Sequence, residues 1–289
     1  MKVAGFTFIR NAIKFDFPVV EAIQSVLPIC DEFIVAVGDS EDGTLALIQS
    51  IDSEKIRIIE TVWDMSPNNL KCNVFAQETD KAFRAVSPDS DWCFYIQSDE
   101  IVHEKYLENI KNAMQFHLKN LAVDGLLFRY KHFFGSYDYV GASLRWYRNE
   151  VRIVRNRADI FSYRDAQSFR KNPNNKLKVK AIDAEVYHYG YVREPKSFAE
   201  KLNFQDKLYH GDTAKQREEA YDFSKEADAV YLFEGTHPKV IQERIRKKTW
   251  DFNFDSSKNK FKFKDKIKMT IERLTGHRLG EFKNYEVLK

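Results

Sequence analysis

Apolar residues recur along this chain in two alternating rhythms. Val3–Ile9 is a short β-branched and aromatic run that suits a buried strand. Val19–Leu27 then sets Val20, Ile23 and Leu27 on one helical face, with Pro18 at the entry. Glu32–Val37 reads as a second strand that empties into the polar turn Gly38-Asp39-Ser40-Glu41-Asp42-Gly43. Thr44–Ile51 follows as helix, Ile56–Glu60 as strand and Leu70–Val86 as a longer helix. Trp92–Gln97 is another apolar strand, stopping at Ser98-Asp99-Glu100, and Lys105–Leu118 is helical again. Strand alternating with helix through residue 120 predicts an α/β fold, a mostly parallel sheet with helices on both faces.

From about Val123 the rhythm changes. Gly125–Tyr130, Glu150–Arg155 and Ala184–Tyr189 read as strands between irregular, aromatic-rich segments, and helical patterns return at Pro195–Tyr209 and Pro238–Lys247. With no Ser/Gly-rich linker and no repeat, residues 1–255 are expected to form one domain. Its halves run to about 120 and from about 121, and a basic appendage follows at 256–289. In that appendage lysines interleave with Phe261, Phe263 and Ile267, which predicts a strand with one basic and one apolar face. A short helix is expected at Ile267–Leu274.

Composition narrows the classes. Among 289 residues, 43% are hydrophobic, with only 11 Gly and 7 Pro, which excludes collagen-like and broadly disordered chains. No apolar run reaches the length of a spanning helix. The first residues are broken by Arg10, Asn11 and Lys14, so they read as a strand and not as a signal peptide. Cys30, Cys72 and Cys93 are odd in number and lack metal-like spacing, which suits free thiols in a reducing cytoplasm. A net charge of +3 gives no mandate for nucleic acid. Residues 258–289, however, hold ten Lys/Arg against four Asp/Glu, the one compositional sign of an anionic partner. Two readings stay open for a cytoplasmic protein: packing of Phe261 and Phe263 onto the domain with the lysines facing water, which is favoured, and peripheral contact with an anionic membrane at its inner face.

Both Gly-rich nucleotide signatures, GxGxxG and GxxxxGK[ST], are missing, which argues against a dinucleotide oxidoreductase or P-loop enzyme. Carboxylates stand at the strand ends instead, in Asp39–Asp42 and in Gln97–Glu100. Ligands of parallel sheets bind at the carboxyl ends of strands, and paired acidic clusters there suit a divalent cation shared with phosphate oxygens. Either cluster alone is equally a set of helix N-caps in polar turns.

FTFIRNA on the first strand, GDSEDGT after the second and QSDE after the fourth resemble the glycosyltransferase family 2 type of GT-A fold. HFFGSY, EVRIVRN, YRDAQSF and EVYHYGYV extend the resemblance through about residue 195. It implies a Rossmann-like, mixed but mostly parallel sheet and an enzyme that moves a sugar from a nucleoside diphosphate sugar to an acceptor hydroxyl, with inversion. The acceptor would be a glycan or a lipid-linked molecule of the cell envelope. By position, the first half would bind the nucleotide sugar through Phe6, Thr7, Asn11, Asp39, Asp42, Gln97, Ser98 and Asp99, and the second half the acceptor. Asp99 would hold a divalent metal, Mn²⁺ or Mg²⁺, with Glu100 or a histidine adding contacts. Two departures stand out: Gly38 and Asp39 are in swapped order, and Gln97 replaces the first Asp of a D-x-D motif.

His188, in Val186-Tyr187-His188-Tyr189-Gly190, resembles the element that returns a histidine to the metal, and a core histidine beside a turn is the alternative. His132 and His237 are weaker candidates. An inverting transfer needs a carboxylate base for the acceptor hydroxyl, and Asp165 ranks first, ahead of Glu150 and Glu185. Asp165 is alternatively an ion-pair partner of Arg164 or Arg170, and Glu150 of Arg152. Two other functions stay open: a sugar-phosphate nucleotidyltransferase, and a non-catalytic sugar-nucleotide-binding or scaffold protein, with Gln97 marking lost metal chemistry.

Overall fold

The structure, a computed structural model, describes residues 1–66, 73–214, 216–261, 263–276 and 278–289. Cys72 and the expected start of the third helix at Leu70 lie outside them. The first half contains β1 (Val3–Ile9), α1 (Val19–Val26), β2 (Glu32–Gly38), α2 (Thr44–Gln49), β3 (Ile56–Thr61), α3 (Asn73–Arg84), β4 (Trp92–Tyr95), β5 (Glu100–Val102) and α4 (Leu107–His117). The second half continues with β6 (Gly125–Phe134), β7 (Ser136–Gly141), β8 (Asn149–Arg155), β9 (Ile160–Tyr163), β10 (Ser168–Lys171) and β11 (Asn175–Tyr191). After these come α5 (Pro195–His210), α6 (Phe223–Glu226), β12 (Val230–Leu232), α7 (Gln242–Arg246), α8 (Phe263–Thr275) and β13 (Tyr285–Val287).

The central order is β3-β2-β1-β4-β8-β6-β11. Strands β3, β2, β1 and β4 are parallel, β8 runs antiparallel between β4 and β6, and β6 pairs parallel with β11. Side chains alternate across this sheet as the pleat requires. Phe33, Val35 and Val37 of β2 belong to the same buried cluster as Ile23 of α1, Ile48 of α2 and Ile110 of α4. Ile34 and Ala36 face the other way, with Ala82 and Phe83 of α3. The result is the mixed, mostly parallel α/β sheet between helices that the GT-A resemblance implied. Gly5 is a packing requirement in it, because a Cβ there would collide with the Phe33 ring.

The strand expected over Lys258–Lys268 is not formed: Lys258 closes a short 3-10 turn, and from Phe263 the chain is helix α8. Phe263, Ile267, Ile271 and Leu274 recur at helical spacing, so a period of 3.6 wins over the alternation of Lys and Phe. Arg148 bonds Glu272 of α8 and Glu281 beyond it, and β13 pairs with β11. Cys30 and Cys93 are buried free thiols. Among the described residues no helix is long and apolar enough to cross a membrane.

Candidate active site

The strand order reverses beside β1, since the chain lays β2 and β3 outward on one flank and β4 on the other. Carboxyl ends of strands at such a reversal leave a crevice. Here it holds a cavity of about 620 Å³. Phe8, Ile9 and Arg10 enter it from the end of β1, Gln97, Ser98 and Asp99 from the end of β4, His188 and Gly190 from β11, and Phe198, Lys201 and Phe204 from α5.

Asp99 is buried at the floor, and its two oxygens face different groups. Oδ2 accepts from Lys201 Nζ at 3.2 Å and lies 3.5 Å from Arg193 Nη2. Oδ1 is 3.7 Å from His188 Nε2. Burial alone would raise this carboxyl, but Lys201, His188 whenever it is protonated, and Arg193 hold it well below the usual carboxylate range. Burial lowers the Lys201 ammonium to about 8, with Arg193 adding to the effect. Two cations thus share one carboxylate, and the floor keeps a surplus of positive charge suited to a polyanion. Gly190 is required here: its carbonyl accepts from Lys201, and a Cβ on it would stand 2.5 Å from His188 Nε2.

Arg10 forms a second positive wall. Its Nε and Nη2 donate to the backbone and side-chain oxygens of Asp39, both at 3.1 Å, and its guanidinium lies beside the Trp63 and Phe204 rings, which pack on each other. Nη1 is buried with no hydrogen-bond partner among the described residues. Opposite, β9 and β10 form a hairpin whose tip carries Asp165 into the cavity lining. Its neighbours Arg164 and Ala166 both have left-handed backbone, φ 57° and 60°, which non-glycine residues hold only under constraint. Gln97 supplies one constraint, since its amide donates to the Ala166 carbonyl at 3.1 Å.

Of the residues singled out in the sequence, Gln97, Ser98, Asp99, His132, Asp165 and His188 line this cavity. Phe6 does not; it is in the core, stacked between Phe83 and Tyr95. Thr7 is buried inside β1. Asn11 accepts from the Glu41 N–H and Asp42 from the N–H groups of Thr44 and Lys14, so both tie the turn after β2 to the end of β1. Asp39 is not in the cavity lining; it accepts from Arg10 and from the backbone N–H of Trp63, two residues that are. Glu150 is buried under the floor, near Gln167, where burial raises its carboxyl to about 7. Glu185 is away from the cavity, bonded to Tyr106. Arg152 pairs with Glu100 in a two-pronged bond at 2.8 Å, and not with Glu150, which leaves no Glu100 oxygen for a metal. Arg170 bonds Asn284. His237 meets the Tyr189 hydroxyl, with burial lowering it to about 4.

Sequence reasoning missed Lys201, Arg193 and Arg10. One signal was available for Lys201, a charge set among the apolar residues of α5 between Phe198 and Leu202.

A divalent ion is implied by the GT-A resemblance, and the residues fit it in a limited way. Among the described residues no three His, Cys, Asp or Glu side chains converge. Asp99 Oδ1 and His188 Nε2 are nevertheless close enough for one ion with bonds of about 2.0–2.2 Å to touch both. A cation held by two protein ligands plus substrate phosphates is how Mg²⁺ commonly binds.

No family model matches the sequence, and no curated protein matches it. Solved structures similar to this chain include S. aureus TarS 1–349, at 15% identity and a TM-score of 0.41, covering 72% of this chain. The chain spans 65% of the length of that structure. A second is glucosyl-3-phosphoglycerate synthase from Mycobacterium tuberculosis, in complex with Mn²⁺, UDP and glucosyl-3-phosphoglycerate. It has 17% identity and a TM-score of 0.32, covering 46% of this chain and 45% of that one. A third is 4-diphosphocytidyl-2C-methyl-D-erythritol synthase from Anaerococcus prevotii, at 10% identity and a TM-score of 0.34, covering 54% and 71%.

Proposed function

We propose that this protein is a glycosyltransferase that moves a sugar from a nucleoside diphosphate sugar to an acceptor hydroxyl, with inversion. Asp99 carries the assignment: a buried carboxylate at the strand reversal, with Lys201 and Arg193 on one oxygen and His188 beside the other. Asp99 and His188 would hold the divalent ion, which when bound stabilises charge on the departing diphosphate. Lys201 sits at the same carboxylate and takes part of that charge directly. Arg10, with Nη1 unmet, offers a further donor to the nucleotide, and Trp63 and Phe204 beside it suit a flat base. Asp165 faces them as the base that accepts the acceptor's proton as its oxygen attacks the anomeric carbon and the bond to the diphosphate oxygen breaks.

The acceptor is proposed to be presented at an anionic membrane surface. Helix α8 supports this, because Phe263, Ile267 and Leu274 are exposed. At about 100° per residue they share one narrow face with Lys264 and Lys266 on its flanks. Glu272, which bonds Arg148, projects from the opposite face. Such a helix rests on a bilayer with its apolar row inward and its lysines at the headgroups.

The deciding experiment is donor turnover. A panel of UDP-, GDP-, CDP-, ADP- and dTDP-sugars is incubated with the protein, with Mn²⁺ or with a chelator, and release of nucleoside diphosphate is followed. Release from one donor supports a transferase. Thermal stabilisation by a donor without any release in the presence of acceptor extracts would make the chain a sugar-nucleotide-binding protein instead.

A further inference from the structure

Hydrogen bonds in series determine where the proton of His188 sits. The backbone carbonyl of Tyr147 can only accept, and His132 Nε2 is 2.8 Å from it, so that nitrogen carries a proton. A neutral imidazole has one N–H and one lone pair, which makes His132 Nδ1 an acceptor. His188 Nδ1 lies 3.0 Å from that lone pair and is therefore the donor. The remaining nitrogen, His188 Nε2, presents its own lone pair on the side where Asp99 Oδ1 stands at 3.7 Å. Two unprotonated acceptors facing each other across that gap have nothing to share but a cation or a proton.

His132 is held so that this series cannot reverse by rotation of its ring. It is 3% exposed, stacks on Trp146 with centroids 5.0 Å apart, and meets Tyr147 edge-on at 4.4 Å. Both of its nitrogens are satisfied by neutral groups, so a buried charge on it would lack compensation. It does not line up with Asp99 itself; it acts through His188.

We infer that His132 is a positioning residue that fixes His188 in its Nδ1–H tautomer and so readies His188 Nε2 as the nitrogen ligand for a divalent cation beside Asp99. The last step rests on the metal assignment made above; the tautomer does not. Partners behind a ligating histidine set its tautomer and orientation, and their loss commonly costs tenfold to a hundredfold in metal affinity.

Two measurements test this on the full chain. In ¹⁵N spectra of the imidazoles, assigned by substituting single histidines, His188 is expected as the Nδ1–H form and His132 as the Nε2–H form. A His188 that carries its proton on Nε2 overturns the inference, whatever the substrate is. Mn²⁺ binding is then followed by electron paramagnetic resonance, with melting curves to confirm folding. His132→Leu, which removes the acceptor, should weaken Mn²⁺ about tenfold to a hundredfold. His132→Asn, whose amide oxygen replaces the Nδ1 acceptor, should recover most of that loss. Equal Mn²⁺ affinity in the wild type and in His132→Leu overturns the positioning role. A wild type with the expected tautomer that binds no Mn²⁺ overturns the metal assignment alone, and the donor panel above judges the sugar-nucleotide reading separately.

Discussion

Lys201 Nζ donates to Asp99 Oδ2 at 3.2 Å across 102 positions of sequence, joining α5 to the end of β4. Arg193 lies on the same oxygen at 3.5 Å, so the carboxylate is the counter-ion of two buried cations. Asp99→Asn should therefore have two effects. Turnover should fall at least about a hundredfold, as when one oriented electrostatic group is lost at the leaving group. Stability should fall by about 3 kcal/mol, because breaking a buried pair strands the remaining charge. Initial rates and urea unfolding check the two. Undiminished turnover in a folded variant would remove Asp99 from the chemistry.

Asp165 should separate from Asp99 in kinetics. Asp165→Asn is expected to lower kcat by about 10²–10⁴, the range for a lost general base, with donor affinity nearly unchanged. Calorimetric titration with donor, beside kcat, reads the split. Equal losses in binding and rate would make Asp165 a donor-binding group.

Glu150 couples stability to pH. Burial raises its carboxyl from 4.5 to about 7 in the folded protein, so between those values the folded chain holds a proton that the unfolded chain lacks. Stability contributed by the protonated group is complete below pH 4.5 and is lost as pH rises through 7. At 1.36 kcal/mol per unit, the loss is roughly 3 kcal/mol. Glu150→Gln should flatten that slope, leaving the variant more stable than wild type at pH 8. Urea titrations of both proteins at pH 5 and pH 8 give the difference, and parallel slopes would refute it.

Helix α8 should bring the protein to anionic vesicles. Each Lys near such a surface contributes about 1 kcal/mol, and the exposed apolar row adds to it. Sedimentation with phosphatidylserine vesicles should occur at low salt, weaken as salt rises and fail with neutral vesicles. Phe263→Asp with Leu274→Asp should abolish it without unfolding the domain, because both side chains are more than three-quarters exposed. Indifference of the full chain to anionic vesicles would leave α8 a surface helix.

The parallel half of the sheet was legible because β1, β2 and β4 are buried on both faces and so appear as unbroken apolar runs. Asp99 was legible as a polar residue at a strand end, while Asp165 and His188 came from the family resemblance; all three line the cavity. The family resemblance overextended the binding set. Phe6 alternates into the core, while Asn11 and Asp42 spend their side-chain oxygens on backbone N–H groups. Strands β7, β9, β10 and β12 went unread because each is six residues or fewer, too short for an alternation to stand out. Lys201, Arg193 and Arg10 went unread because each owes its position to tertiary packing, and residue spacing alone does not report which cations converge on one carboxylate.

The final strand, β13, lies against Leu177–Val179 of β11, with Tyr285 buried. Those β11 residues pair with β13 on one side, and Val179 pairs with β6 on the other. A chain stopped before Tyr285 would bare a row of unpaired N–H and C=O groups on a long strand, a template for a second molecule. Pairing by Tyr285–Val287 thus covers that edge of β11: protein lacking them should form concentration-dependent dimers and larger aggregates while the cavity at the far end of β11 stays assembled.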